Sequence, residues 1–190
     1  HMGYVLLAAA AATPLGLMGA LFQMVSHGLI SGVLFLVVGV VYARTGTRDL
    51  NILRGLLNPQ RGLPLTGSLM IIGVMASAGI PGMAGFISEF LVFRGSLGPF
   101  PVATLLSMVG SGLTAVYFLL LVNRAFFGRL AIAPGDVANP RILDRVALRE
   151  QVPAIALSLG VLVLGLAPAL LSNLSEAATT GLSQLGGALS

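Results

Sequence analysis

The sequence predicts an all-α, polytopic membrane protein with about five transmembrane helices, one of them discontinuous. Three observations carry this. Of the 190 residues, 56% are hydrophobic and 8% charged, with a mean hydropathy of +0.99, outside the range of soluble domains. Several apolar runs reach the roughly 20 residues that a helix needs to cross a bilayer. The charges are also segregated: all except Glu89, Arg94 and Glu176 fall in two Arg-rich loops.

In chain order, the first span runs from Met2 to about Ala12, and its abrupt start suggests a piece of a longer protein. His1-Met2 is either native or a remnant of expression. Thr13-Pro14-Leu15-Gly16 forms an uncharged turn, and Leu17 to about Tyr42 is the second span. The first charged loop, Arg44 to Arg61, holds four Arg against Asp49, a net +3. The broken span, Leu63 to Leu97, follows, with its interruption at 79–85. Gly98-Pro99-Phe100-Pro101 is a second uncharged turn, and Val102 to Phe127 is the fourth span, with a Gly110-Ser111-Gly112 step suited to close helix packing. The second charged loop, Arg124 to Glu150, holds five Arg against Asp136, Asp144 and Glu150, a net +2. The last span is Val152 to about Leu171. A small-residue tail, 173–190, lies along the interface or frays.

Two spans separate the Arg loops, so both loops fall on one side of the membrane and the uncharged turns on the other. The positive-inside rule makes the Arg side cytoplasmic, or stromal in a thylakoid. The net charge of +4 therefore reports topology, and the expected partner is the lipid bilayer, not nucleic acid. The chain has no Cys, which excludes disulfides and thiolate chemistry within it. No signal peptide is visible, because no basic region precedes the first apolar run.

The broken span organises the rest. A straight helix of its length would measure roughly 50 Å, against a hydrocarbon core of about 30 Å. Pro81 removes a backbone donor and clashes with the preceding turn. Gly79, Gly82 and Gly85 allow backbone angles that other residues resist. Just beyond the break stands Glu89, and a broken helix with an acid beside it is a known way to build an ion site at membrane depth. An intramembrane carboxylate is a functional candidate by default, and its proton affinity responds to burial and to nearby cations. The bland reading is a salt bridge to Arg94, five residues on.

His27 lies mid-span. A neutral imidazole can pass a proton between its nitrogens, or it can simply bond a backbone carbonyl to fix packing; spacing leaves both open. Gln23, four residues earlier, shares its face. Arg124 and Arg129 read as snorkelling or topology residues. No metal site, catalytic triad or phosphate loop is recognisable. Gly79-x-x-Gly82-x-x-Gly85 is not a dinucleotide fingerprint, since it has no βαβ context.

Taken together, several motifs resemble a known family: Gln23-Met24-Val25-Ser26-His27-Gly28-Leu29, the Arg44–Leu50 loop, Gly79-Ile80-Pro81-Gly82 with Phe86-Ile87-Ser88-Glu89-Phe90, Asn123-Arg124-Ala125-Phe126-Phe127-Gly128 and Leu148-Arg149-Glu150. They are similar to the C-terminal part of the antiporter-like proton-pumping subunits of respiratory complex I. The likeness is greatest to the M or chain 4 type in its cyanobacterial and plastid form. The stretches Arg61–Ser68 and Phe93–Ser96 look most like the variant of CO2-uptake complexes.

The resemblance implies that residues 1–172 are the end of a membrane domain of about fourteen helices. It places Glu89 at the end of a proton path, His27 in a polar axis and exit route, and His1, if native, beside them. The lysines and glutamate of the family's central axis lie earlier in that domain and have no counterpart here. The implied function is proton translocation coupled to electron transfer in other subunits of an NAD(P)H–quinone (plastoquinone) oxidoreductase, in a thylakoid or plasma membrane. NAD(P)H, iron–sulfur clusters and quinone would sit in those other subunits, and none of them in this chain. The alternatives are the large subunit of a multisubunit Na+/H+ antiporter and a non-conducting membrane scaffold. The Gly-Pro-Gly break argues against the scaffold, because an unwound backbone is costly in lipid.

Overall fold

The computed structural model describes residues 1–133 and 142–188. Asp136 and Arg141 of the second charged loop, and the last two residues of the tail, lie outside them. The described residues form α1 (Met2–Ala10), α2 (Pro14–Thr45), α3 (Pro64–Ser77), α4 (Ala84–Ser96), α5 (Pro101–Phe126), α6 (Leu148–Leu166) and α7 (Ala169–Ala188). Three of them, α2, α5 and α6, are long and apolar enough to cross a membrane, and α3 is a shorter apolar helix. The fold is all-helical and membrane-embedded, with α3 and α4 as two halves of the discontinuous helix.

Helix starts follow local chemistry. Thr13 accepts a hydrogen bond from the Gly16 amide at 2.9 Å, and Pro14 takes the first helical position, where its missing N–H costs nothing. So α2 begins three residues before the apolar run suggested. Its 32 residues span about 48 Å, so it tilts or projects beyond a bilayer core. Pro64 and Pro101 start α3 and α5 in the same way. The described part of the tail, 173–188, is helical and not frayed. Pro168 separates α6 from α7, and α7 returns along α2, with Thr179 buried and the Ser175 hydroxyl 2.9 Å from the Met18 sulfur.

Helix α2 is the axis of the bundle, and α4 packs on it through small residues. A side chain at Gly19 would strike the backbone of Leu91 and Val92, and one at Gly95 would strike Gly16. Thr13 closes this seam by donating to the Gly95 carbonyl at 2.9 Å. Between helices in lipid, such close backbone approach supplies the dispersion energy that burial supplies in water.

The two Arg-rich loops meet at one end of the bundle. Arg54 and Ala131 exchange a pair of backbone hydrogen bonds, both 3.0 Å. The amides of Gly55, Leu56 and Leu57 donate to the carbonyls of Phe127, Ala125 and Phe126, so the first loop satisfies the orphan acceptors at the end of α5. Leu53 and Leu56 of the same loop, with Leu63 just before α3, are buried and join the main apolar core around Val33, Val37 and Phe126. Arg44 at the end of α2 meets both oxygens of Glu150 at the start of α6, at 3.0 and 2.8 Å.

Candidate functional site

The helix break is a built structure. Gly79 adopts φ +68°, and the amides of Gly79 and Ile80 return to the carbonyls of Ala76 and Met75. That pair of bonds is the Schellman ending, which uses a left-handed glycine just past the helix. Pro81 follows, and Gly82 (φ +92°) turns the chain again. Met83 is extended, and α4 starts at Ala84. Unwinding is thus confined to 78–83, and Gly85 belongs to α4, where its missing side chain lets the Ala76 carbonyl approach. Gly165 of α6 packs directly on Gly82 and Met83.

Glu89 lies in the second turn of α4, 7% exposed. Its Oε2 accepts a 2.7 Å hydrogen bond from the Ser111 hydroxyl of α5. The same oxygen faces Gly79, so the carboxylate is set against the break itself. Beside Ser111 stands the Tyr4 hydroxyl, which donates to the Ser107 carbonyl at 3.1 Å. The Tyr4 ring stacks on His1 at 5.7 Å, and His1 lies 5.6 Å from the His27 ring. A His27 ring nitrogen is 3.3 Å from the Ser31 hydroxyl. Polar side chains therefore neighbour one another from Ser31 through His27, His1, Tyr4 and Ser111 to Glu89, joined by ring contacts at His1, whose Nε2 is buried without a hydrogen-bond partner among the described residues.

A cavity of about 480 Å³ opens along this line between α2, α3 and α5, with His1, His27, Ser31, Ser77 and Tyr117 among its lining. Ser77 is the last residue of α3, so the cavity reaches the break. A second polar contact sits behind it. Ser26 of α2 donates to Ser88 of α4 at 3.0 Å, and Gln23 is buried with its side-chain oxygen unpartnered among the described residues.

The structure thus gathers Glu89, His27, His1, Gly79 and Gly82 in one region, with Gln23 close behind. Pro81 sits at the exposed edge of the break. Arg94 does not join them: it is exposed, and among the described residues the ion pair is Arg44–Glu150, not Glu89–Arg94. Five residues along a helix is about 140° around its axis, so Arg94 points away from the carboxylate. Tyr4 and Ser111 are the participants that sequence reading missed.

The geometry has relatives. Residues 1–114, which include the break and every member of the polar line, match the family described as NADH:quinone oxidoreductase/Mrp antiporter, TM. The chain is 40% identical over 189 residues to NAD(P)H-quinone oxidoreductase chain 4 1 of Synechococcus elongatus, covering 96% of this chain and 34% of that one. The chain spans about a third of the length of the curated relatives it matches. Among solved structures, respiratory complex I from Thermus thermophilus with bound NADH contains a chain that superposes with a TM-score of 0.86 at 28% identity, covering 97% of this chain and 37% of that one. The Mrp complex from Dietzia sp. gives 0.74 at 26% identity, covering 95% of this chain and 19% of its counterpart. By its match over α1 to α4 and half of α5, this chain belongs to the NADH:quinone oxidoreductase/Mrp antiporter transmembrane family.

Proposed function

We propose that this chain is part of a membrane-arm subunit that moves protons across the membrane, driven by electron transfer in other subunits of an NAD(P)H–quinone oxidoreductase. One observation carries the reading: Glu89 is a buried carboxylate, hydrogen-bonded to Ser111 and set against a helix break, at the end of a polar line to His27. Burying an unpaired carboxylate at membrane depth is costly, and an exchangeable proton removes that cost. Glu89 loads and releases the proton, His27 relays it, and Ser111 and Tyr4 hold the donors and acceptors in line. Residues 1–172 form the conducting part, and 173–190 an appendage to it.

The chain takes no part in redox chemistry. NAD(P)H, iron–sulfur clusters and quinone belong to partner subunits. With a cyanobacterial relative named as an NAD(P)H-quinone oxidoreductase chain, the reading takes plastoquinone as the acceptor and a thylakoid or plasma membrane as the location, with the Arg loops on the cytoplasmic side. The likeness to the Mrp complex favours a second reading, the large subunit of a Na+/H+ antiporter.

The test is Glu89→Gln in the subunit that contains this chain, with proton uptake into membrane vesicles and electron flux recorded together. The expected result is normal assembly with fewer protons moved per electron. Wild-type values for both would sink the transport role and leave a scaffold. Ion movement that persists without electron flow and depends on Na+ would favour the antiporter.

A further inference from the structure

The joined loops create a feature that proton movement does not use. Where the first loop crosses the end of α5, Arg54, Arg124 and Arg129 line one pocket of about 660 Å³ together with Asn51, Asn123 and Phe127. No acidic residue lines it among the described residues, and none of the three arginines enters an ion pair there. The sequence separates Arg54 from Arg124 by the broken span and nearly all of α5. The Arg54–Ala131 backbone pair and the Gly55-to-Phe127 bond bring them together.

Two further facts specify the occupant. A helix C-terminus ordinarily repels anions, but here the carbonyls of Ala125, Phe126 and Phe127 are already engaged by the Gly55–Leu57 amides, and the guanidiniums dominate the local field. Below the pocket, Val109, Leu113, Val116 and Leu120 follow one another at four- and three-residue steps and are 52–63% exposed. Asn123 and Phe127 continue the same helical face, so an apolar stripe leads straight into the cationic pocket. A concave cationic site at the water boundary with an apolar stripe beneath it matches a two-tailed anion.

We propose that this pocket binds the phosphate of an anionic phospholipid, whose acyl chains lie along the Val109–Leu120 stripe of α5. The arginines offer forked donors that fit phosphate oxygens, and Asn123 adds a neutral one, while the Asn51 amide is engaged by Asp49. Basic pockets at the cytoplasmic end of membrane helices are known to recognise such headgroups.

The test uses the chain in its native membrane assembly and a phosphatidylglycerol carrying a photoactivatable group beside its phosphate. Cross-links are mapped by peptide mass spectrometry. Expected labelling concentrates on peptides containing 50–54 and 123–131, and unlabelled phosphatidylglycerol competes with it while phosphatidylcholine does not. Arg129→Gln lowers the yield about five-fold, the loss that one guanidinium near a membrane surface predicts. Arg145→Gln, at the same end of the bundle but outside the pocket, leaves it unchanged. These exposed positions carry little folding risk, and a thermal melt of each variant checks it. Equal competition by phosphatidylcholine overturns the proposal, as does equal labelling in Arg129→Gln. Displacement by inorganic phosphate alone makes the site one for a free anion. Absence of labelling with protein cross-links from the same peptides gives the pocket to a neighbouring subunit.

Discussion

A β-carbon added to Gly79 would lie 2.7 Å from Oε2 of Glu89. The glycine just past the end of α3 and the acid carried by α4 therefore occupy complementary space: the glycine's missing side chain is where the carboxylate sits. Break and acid are one unit, although ten positions separate them.

Gly79→Ala tests this unit directly. Alanine at φ +68° costs about 1–2 kcal/mol in backbone strain, and its methyl group must displace the carboxylate. The expected outcome is a lowered unfolding temperature together with impaired proton movement. If transport is unaffected while stability falls, the contact is packing alone.

Ser111→Ala removes the donor to Glu89 and leaves a cavity the size of one oxygen. A stability loss of about 1–2 kcal/mol is expected, with a larger proportional loss in protons moved per electron. Ser111→Thr keeps the hydroxyl and should restore most of the transport. Equal transport in the alanine and threonine variants would remove Ser111 from the path.

Gly19→Leu drives a side chain into the backbone of Leu91 and Val92. No rotamer change of a neighbour can relieve a clash with main chain, so α2 and α4 must separate. Overpacking of this kind costs at least about 1–3 kcal/mol. The measurable result is a subunit lost from the membrane fraction. Normal assembly of the variant would show that α4 is not held by this seam.

Arg44 and Glu150 join the ends of α2 and α6, at 18% and 35% side-chain exposure. Partial solvation limits the pair to at most about 1 kcal/mol. A double-mutant cycle with Arg44→Gln and Glu150→Gln should return a coupling within that bound, diminishing as salt is added. A coupling several times larger would mean that the pair is effectively dry.

What the sequence revealed depended on whether a property was local. Mean hydropathy and Arg segregation define the fold class because each residue reports its own solvent. Pro81 between Gly79 and Gly82 marks the break because turn chemistry is local too. Ser111 was hidden by its setting: between Gly110 and Gly112 it reads as part of a packing step, and nothing nearby signals an acid 22 residues earlier. Tyr4 was hidden likewise, an aromatic in an apolar run. The charged loop misled differently. Its arginines advertise water, while Leu53 and Leu56 between them are buried, because the amides of that loop complete α5.

That completion bears on how the chain is made. The amide of Leu56 bonds the carbonyl of Ala125, and Arg54 bonds Ala131, so the first loop cannot take its final shape until residue 131 has left the ribosome. At roughly 5–20 residues per second, the interval between the two partners is several seconds. Throughout it, the buried leucines of the loop stand at the water boundary with no lid above them. The most delicate moment in this chain's biogenesis falls there, after α3 and α4 have entered the membrane and before α5 has arrived to close them in.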